Sequence, residues 1–247
     1  MRGDVTLTAP PRLAELIATR KLALFLDFDG TLVEIADAPD GIRVPDTLAD
    51  SLLALRDRLE GRLAVVTGRA LDNLHKHIGD IALVRAGAHG AQRVNADGSP
   101  IGEGTRELPP RAREALRAFA DNHDLPCEDK GSGIAVHYRN REDCAEPLLA
   151  QARETAQAVG GKVTHGKCVV EVTSSGADKG SAVEAILQLS AFADAVPVFI
   201  GDDVTDEDGF ATAEDHGGFG IHVGSREPHG ARYKLDTVAA VHHWLGL

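Results

Sequence analysis

Two short acidic runs carry the chemistry that this 247-residue chain is best equipped to perform. Asp27-Phe28-Asp29-Gly30-Thr31 follows the apolar run Leu22–Leu26, and Gly201-Asp202-Asp203-Val204-Thr205-Asp206-Glu207-Asp208 follows the apolar run Pro197–Ile200. Carboxylates crowded at the end of a buried strand repel one another and are costly to desolvate, so they call for a cation held by hard oxygen donors. Each run also has a plainer reading. Asp-Gly at a strand end is turn chemistry, and an acidic stretch is more often a solvated surface than a site. A calcium loop of the EF-hand type is excluded for the second run: with Gly209 at the sixth position, Val204 and Asp215 fall where the first ligand and the closing Glu are required.

The elements that must position these groups are legible as apolar runs alternating with helical segments. Leu22–Leu26 and Leu63–Val66 read as buried strands, ending at Asp27 and Thr67. Between them, residues 46–60 place Leu48, Leu52, Leu55 and Leu59 at helical spacing, with Pro45 at the start and Gly61 at the stop. Residues 179–189 have the spacing of an amphipathic helix before the strand Pro197–Ile200. Strands separated by helices tend to be parallel, and open parallel sheets bind ligands beyond their carboxyl ends, so polar groups far apart in sequence are expected to converge there. From about Leu108 to Thr173 the texture changes. Helices over 112–121 and 145–159 and strands over 134–138 and 167–172 predict a compact α+β insert. The expected fold is therefore α/β: a Rossmann-like parallel-sheet core made of residues 1–107 and 175–247, interrupted by an inserted α+β domain over 108–174.

Composition narrows the partners. Lys and Arg number 26 against 38 Asp and Glu, a formal charge of −12, which leaves no basic face to track a nucleic-acid backbone. At 43% hydrophobic and 26% charged residues, the chain has the make-up of a folded globular protein. Cys127, Cys144 and Cys168 are odd in number and lack metal-finger spacing, so they read as small core residues in a reducing compartment. The first residues lack the apolar centre of a secretory signal, and nothing approaches the ~18 apolar residues of a membrane helix. A cytoplasmic protein with neither a membrane nor a nucleic-acid partner is expected, with a monomer as the default.

In order, Asp27/Asp29, Thr67, Lys179 and Asp202/Asp203/Asp206 match a four-part pattern, and the chain resembles the haloacid dehalogenase superfamily of aspartyl phosphotransferases. The resemblance implies that Asp27 is the nucleophile, that Asp29 is the general acid and base, and that Thr67 and Lys179 hold the transferring oxygens. It also implies Mg2+ bound by Asp27, the Asp29 carbonyl and Asp202, with Asp203 and Asp206 behind them orienting Lys179 or metal-bound water. These roles are chemically sound: a dianionic phosphate ester admits an anionic nucleophile only once its charge is offset, and the covalent intermediate divides one slow hydrolysis into two easier displacements.

Within that superfamily the segments LDFDGTL, VVTGR, GAHGAQ, EDKGSGIAVHYR, GKCVVEV, DKGSAV and GDDVTDEDGF resemble the trehalose-6-phosphate phosphatase family, from about Leu22 to Val241. The insert then corresponds to that family's α/β cap. Glu128, Lys130, His137, Arg139, Gly166, Lys167 and Glu171 fall on its characteristic positions, and Glu128, Lys130 and Glu171 are implied to hydrogen-bond sugar hydroxyls. His89-Gly90 and Arg69 are implied to line the floor of the cleft, the glycine allowing close backbone approach, and Gly68, beside Arg69 in VVTGR, is implied to be a substrate-binding residue. The family's E-x-x-P segment has Ser174 in place of its proline, so the chain leaving the insert is less stiff here. The expected activity is Mg2+-dependent hydrolysis of a small sugar phosphate, trehalose 6-phosphate, through an aspartyl-phosphate. The alternatives are a capped phosphatase of sucrose phosphate or a mannosyl phosphate, and a silent sugar-phosphate-binding regulator. The regulator would show the loss of Asp27, Asp29, Lys179 or Asp202, and all four are present.

Overall fold

Strand β1 (Leu22–Leu26) is buried at every residue, and its alternation divides two cores. Leu22, Leu24 and Leu26 pack on one side of the sheet with Leu63, Val65, Val198 and Ile200; Ala23 and Phe25 pack on the other with Ala64, Val66 and Phe199. Because both faces are covered, the central strands need apolar side chains at every position, which is why they read as unbroken runs. In this computed structural model, described for residues 7–36, 41–102, 107–166, 168–174, 178–226 and 229–247, the chain forms two compact units. One comprises Met1–Gly104 and Asp178–Leu247, the other Thr105–Ala177.

The sheet of the first unit adds β2 (Leu63–Val66), β3 (Val84–Gly87), β4 (Gln92–Val94), β9 (Val196–Gly201), β10 (Phe219–Val223) and β11 (Ala231–Leu235). Its seven strands run in the order β11-β10-β9-β1-β2-β3-β4, with every pairing parallel except the antiparallel β3–β4 edge. The order reverses about β1, which has β2 on one side and β9 on the other. The crevice beyond the carboxyl ends of these three strands is the topological switch point, where such sheets take their ligands. Around the sheet lie α1 (Leu13–Thr19), α2 (Leu48–Arg58), α3 (Leu71–Ile78), α6 (Lys179–Leu187), α7 (Glu207–Asp215) and α8 (Val238–Leu245).

The second unit holds α4 (Pro110–Asn122) and α5 (Ala145–Val159) against an antiparallel sheet ordered β5 (Cys127–Asp129), β6 (Gly133–His137), β8 (Val169–Thr173), β7 (Lys162–Gly166). Ile134, Val136, Val170 and Val172 project from one face into a core with Leu108, Ala112, Leu116 and Ala120, which recur every four residues leading into and along α4. The opposite parity forms a row in register across the sheet: Glu128, Ala135, Glu171, Thr164. The expected strand beginning at Lys167 is β8, which starts at Val169; Lys167 itself lies outside the described residues. Among the described residues no helix is long and apolar enough to cross a membrane.

Candidate active site

Asp27 is the first residue beyond β1, and its N–H donates to the Ile200 carbonyl of β9 at 2.9 Å, which fixes it between the two strands. Thr67 stands in the same place after β2, where its N–H donates to the Ala86 carbonyl of β3 at 2.8 Å and its side chain is fully buried. Lys179 opens α6. The helix start is set by a reciprocal cap in which Asp178 Oδ1 accepts the Ser181 N–H at 2.7 Å and Ser181 Oγ accepts the Asp178 N–H at 3.1 Å. That cap determines where the chain turns helical, and so where the ammonium is delivered.

Lys179 Nζ donates to Asp27 Oδ1 at 2.7 Å and to Asp206 Oδ1 at 2.6 Å, and all three side chains are buried. Asp206 in turn accepts the Asp203 N–H through Oδ2 at 2.9 Å, while the Asp203 side chain caps the Asp206 N–H. The acidic run is thus not a loose loop: Val204–Asp206 forms a 3-10 turn leading into α7, and Asp206 is its buried corner. Asp203 is linked to Lys179 through Asp206.

The carboxylate oxygens of Asp27, Asp202 and Asp206 all lie within 4.8 Å of one another. Three acids therefore share one ammonium. Burial, then the neighbouring Asp206 carboxylate, holds Asp27 well above the usual carboxylate range, with Lys179 opposing. Asp202 is pushed up to about 7 by burial and Asp206, and Asp206 is raised by its own burial against the pull of Lys179. Burial works against the charge on Lys179, but Asp206 and Asp27 outweigh it, and the ammonium is held more firmly than usual. Asp202 Oδ1 is buried with no hydrogen-bond partner among the described residues. An orphaned carboxylate oxygen amid excess negative charge, in an all-oxygen donor set, fits a hard divalent cation. Gly30 belongs to this arrangement: its φ of +79° suits glycine, and a Cβ there would collide with the Asp202 carboxylate.

Asp29 points its carboxylate elsewhere. It accepts two hydrogen bonds from Arg69, Nε to Oδ2 and Nη2 to Oδ1, each 2.6 Å. Arg69 is anchored by its own N–H, which donates to Thr67 Oγ1 at 3.1 Å, and by its carbonyl, which accepts the Ala88 N–H at 2.7 Å. The His89 N–H reaches the Thr67 carbonyl at 3.1 Å, so the loops after β2 and β3 are zipped together. Gly68 lies so near the His89 ring that a Cβ would sit 2.6 Å from Cε1, which explains a glycine there.

In the second unit, Lys130 Nζ donates to Glu171 Oε1 at 3.1 Å; Glu171 is 8% exposed and Glu128 is exposed. Glu128, Glu171 and half-buried His137 belong to the sheet parity opposite the helix-covered core, whereas Arg139 lies just past the end of β6 and is exposed. Two groups that sequence reasoning does not find brace the first unit. Arg226 donates through Nη1 to Glu207 Oε1 at 2.6 Å and through Nε to the Asp202 carbonyl at 3.5 Å. Asn73 and His77 on α3 hold Arg69. Neither lies in a motif, and only the closing of loops onto one another reveals them.

Comparison with known proteins accords with this geometry. The profile of the trehalose-phosphatase family matches residues 25–239. A probable trehalose-phosphate phosphatase of Sinorhizobium fredii is 40% identical over 210 residues, 83% of this chain and 79% of that protein. The trehalose-6-phosphate phosphatase of Escherichia coli is 33% identical over 245 residues, 97% of this chain and 89% of that protein. The crystal structure of a trehalose-6-phosphate phosphatase related protein superposes with a TM-score of 0.72 at 25% identity, covering 91% of this chain and 95% of that one. Solved haloacid dehalogenase superfamily proteins at 15–17% identity share the fold. With most of its length inside the family profile and with relatives this similar, the chain belongs to the trehalose-phosphatase family.

Proposed function

We propose that this chain hydrolyses trehalose 6-phosphate to trehalose and phosphate through an aspartyl-phosphate on Asp27, with Mg2+ as its cation. The observation that carries the reading is the convergence of the Asp27, Asp202 and Asp206 carboxylates with Lys179 at the switch point. Asp27 and Asp202, with the backbone carbonyl of Asp29, would hold the ion. When bound, Mg2+ offsets the charge of the attacking carboxylate and of the phosphoryl group.

A carboxylate oxygen of Asp27 attacks phosphorus and the bond from phosphorus to the sugar oxygen breaks; Asp29 gives that oxygen its proton. A water then attacks the aspartyl-phosphate while Asp29 takes a proton from it, which releases phosphate and returns Asp27. Lys179, fixed by Asp206, supplies positive charge beside the nucleophile and onto the transferring oxygens, and the buried Thr67 hydroxyl donates to them. Asp203 and Asp206 act from behind by orienting Lys179.

Residues 108–174 would be the cap and the remainder the catalytic core. Glu128, Lys130 and Glu171, with His137 and Arg139, would read the sugar, and Arg69 and His89-Gly90 would line the cleft floor, with Gly68 beside them as a substrate-binding residue. A disaccharide presents many hydroxyls and no charge beyond its phosphate, so a site of paired donors and acceptors rejects sugars that leave those groups unsatisfied. Phosphate release from a panel of sugar phosphates with Mg2+ tests the proposal. Trehalose 6-phosphate is expected to have the highest kcat/KM. Equal or better turnover of sucrose phosphate or a mannosyl phosphate would overturn the substrate, and no release from any ester, a p-nitrophenyl ester included, would overturn the activity.

A further inference from the structure

The Arg69–Asp29 pair is supported from behind by a helix that carries none of the motif residues. Arg69 Nη1 donates to Asn73 Oδ1 at 2.7 Å and meets His77 Nε2 at 3.2 Å. Asn73 and His77 are four residues apart on α3, so they share one helix face and close on the same nitrogen. A guanidinium has only donors to offer, so the α3 face presents an amide oxygen and a ring nitrogen to the same guanidinium nitrogen. The guanidinium carbon also lies 6.0 Å from the centre of the Phe28 ring. Arg69 is thereby gripped on the side away from Asp29, and its side chain is 10% exposed.

Asp29 is 32% exposed, and a carboxylate that open ordinarily samples several rotamers. The two parallel N–H bonds from Arg69 fix both oxygens in one plane, but a fork orients its partner only if the fork itself is held. We propose that Asn73 and His77 are positioning residues for the reaction: by seating Arg69 they set the direction in which Asp29 delivers and collects its proton. Neither touches the reacting atoms. The inference rests on the reading of Asp29 as the general acid and base.

The leaving group separates this role from simple loss of structure. A sugar alkoxide leaves poorly and needs its proton, whereas p-nitrophenolate leaves without one. In single-turnover assays with Mg2+, which read leaving-group departure ahead of the water step shared by both esters, Asn73→Ala and His77→Ala are each expected to slow trehalose release from trehalose 6-phosphate about tenfold and p-nitrophenolate release from p-nitrophenyl phosphate less than about twofold. Asn73→Asp and His77→Gln, which keep an acceptor oxygen at that reach, are expected to recover most of the loss. Equal losses on both esters, no loss on either, or a loss that the conservative variants do not recover would overturn the proposal. Asp29→Asn in the same assay distinguishes the two levels. If it shows the leaving-group dependence and the α3 variants do not, the positioning claim alone fails. If Asp29→Asn is itself indifferent to the leaving group, the acid–base reading fails and this inference falls with it.

Discussion

Lys179 Nζ bonds Asp27 Oδ1 at 2.7 Å across 152 residues of sequence, and the pair is almost wholly removed from water. A buried ion pair of this kind adds little net stability by itself, because desolvation offsets attraction. Its value here lies in placement. The ammonium can approach the carboxylate only because the cap of α6 and the end of β1 meet at one rim of the sheet, and it stays there because Asp206 holds its other side.

Removing Asp206 tests that support. Asp206→Ala strips one carboxylate from Lys179 and leaves the Asp203 N–H without its acceptor. Breaking one side of a buried charged network typically costs about 3–5 kcal/mol, and urea unfolding with Mg2+ fixed is expected to show a loss of that order. Turnover is expected to fall as well, since Lys179 is then held from one side only. An unfolding free energy within about 1 kcal/mol of the parent would mean that Asp206 is no anchor.

Asp27→Asn is expected to behave in the opposite way. It removes the nucleophile, so kcat falls about 10^4-fold or more. Burial already opposes the Asp27 charge, so the neutral amide relieves a cost, and thermal unfolding of the metal-free protein is expected at the same temperature or higher. Retention of more than roughly a hundredth of the parental rate would remove Asp27 from the nucleophilic role.

How much of this was legible in the sequence depended on whether local chemistry or long-range closure set the feature. Leu22–Leu26, Leu63–Val66 and Ala145–Val159 form as their spacing predicts, because burial on both faces of a sheet and helix amphipathicity leave strong local signals. Strands such as β4 and β11 are half-buried edges of the sheet; Gln92–Val94 is too short, and Ala231–Leu235 too mixed in character, to stand out from a loop. The acidic run showed itself as chemistry, but its fold did not: the turn at Val204–Asp206 buries Asp206 and exposes Asp203 through their reciprocal capping, which spacing alone does not distinguish. Arg69 carried a motif signal, whereas its grip on Asp29 and the support from Asn73 and His77 depend on where a loop lands on a helix.

Glu171→Ala separates recognition from chemistry. The Lys130–Glu171 pair lies in the second unit, on the sheet parity away from the helix-covered core. If these groups bind sugar hydroxyls, losing Glu171 lowers kcat/KM on trehalose 6-phosphate about tenfold or more and leaves p-nitrophenyl phosphate within about twofold, because only the disaccharide engages them. Comparable losses on both esters would assign Glu171 a structural role instead.

The surplus of buried carboxylates gives the response to cation and pH a definite sign. In the metal-free protein Asp202 titrates at about 7, raised from its ordinary 3.8 by burial and then by Asp206, and Asp27 and Asp206 are raised in the same direction. A carboxyl whose folded value lies above its unfolded one favours the fold fully at acid pH, below the unfolded value, and that contribution is lost as pH rises through the folded value. Metal-free stability from this cluster is therefore expected to decline between about pH 4 and about pH 7. A divalent cation binds the ionised form and must displace protons below that range, so its affinity for the folded state rises with pH. The increase in melting temperature on adding saturating Mg2+ to chelator-treated protein is thus expected to be larger at about pH 8 than at about pH 5.5. Thermal melts across that range, repeated with Asp202→Asn, check it. The variant is expected to flatten both the metal-free decline and the gain from Mg2+; a gain that is independent of pH in the parent, or undiminished in Asp202→Asn, would place the ion elsewhere.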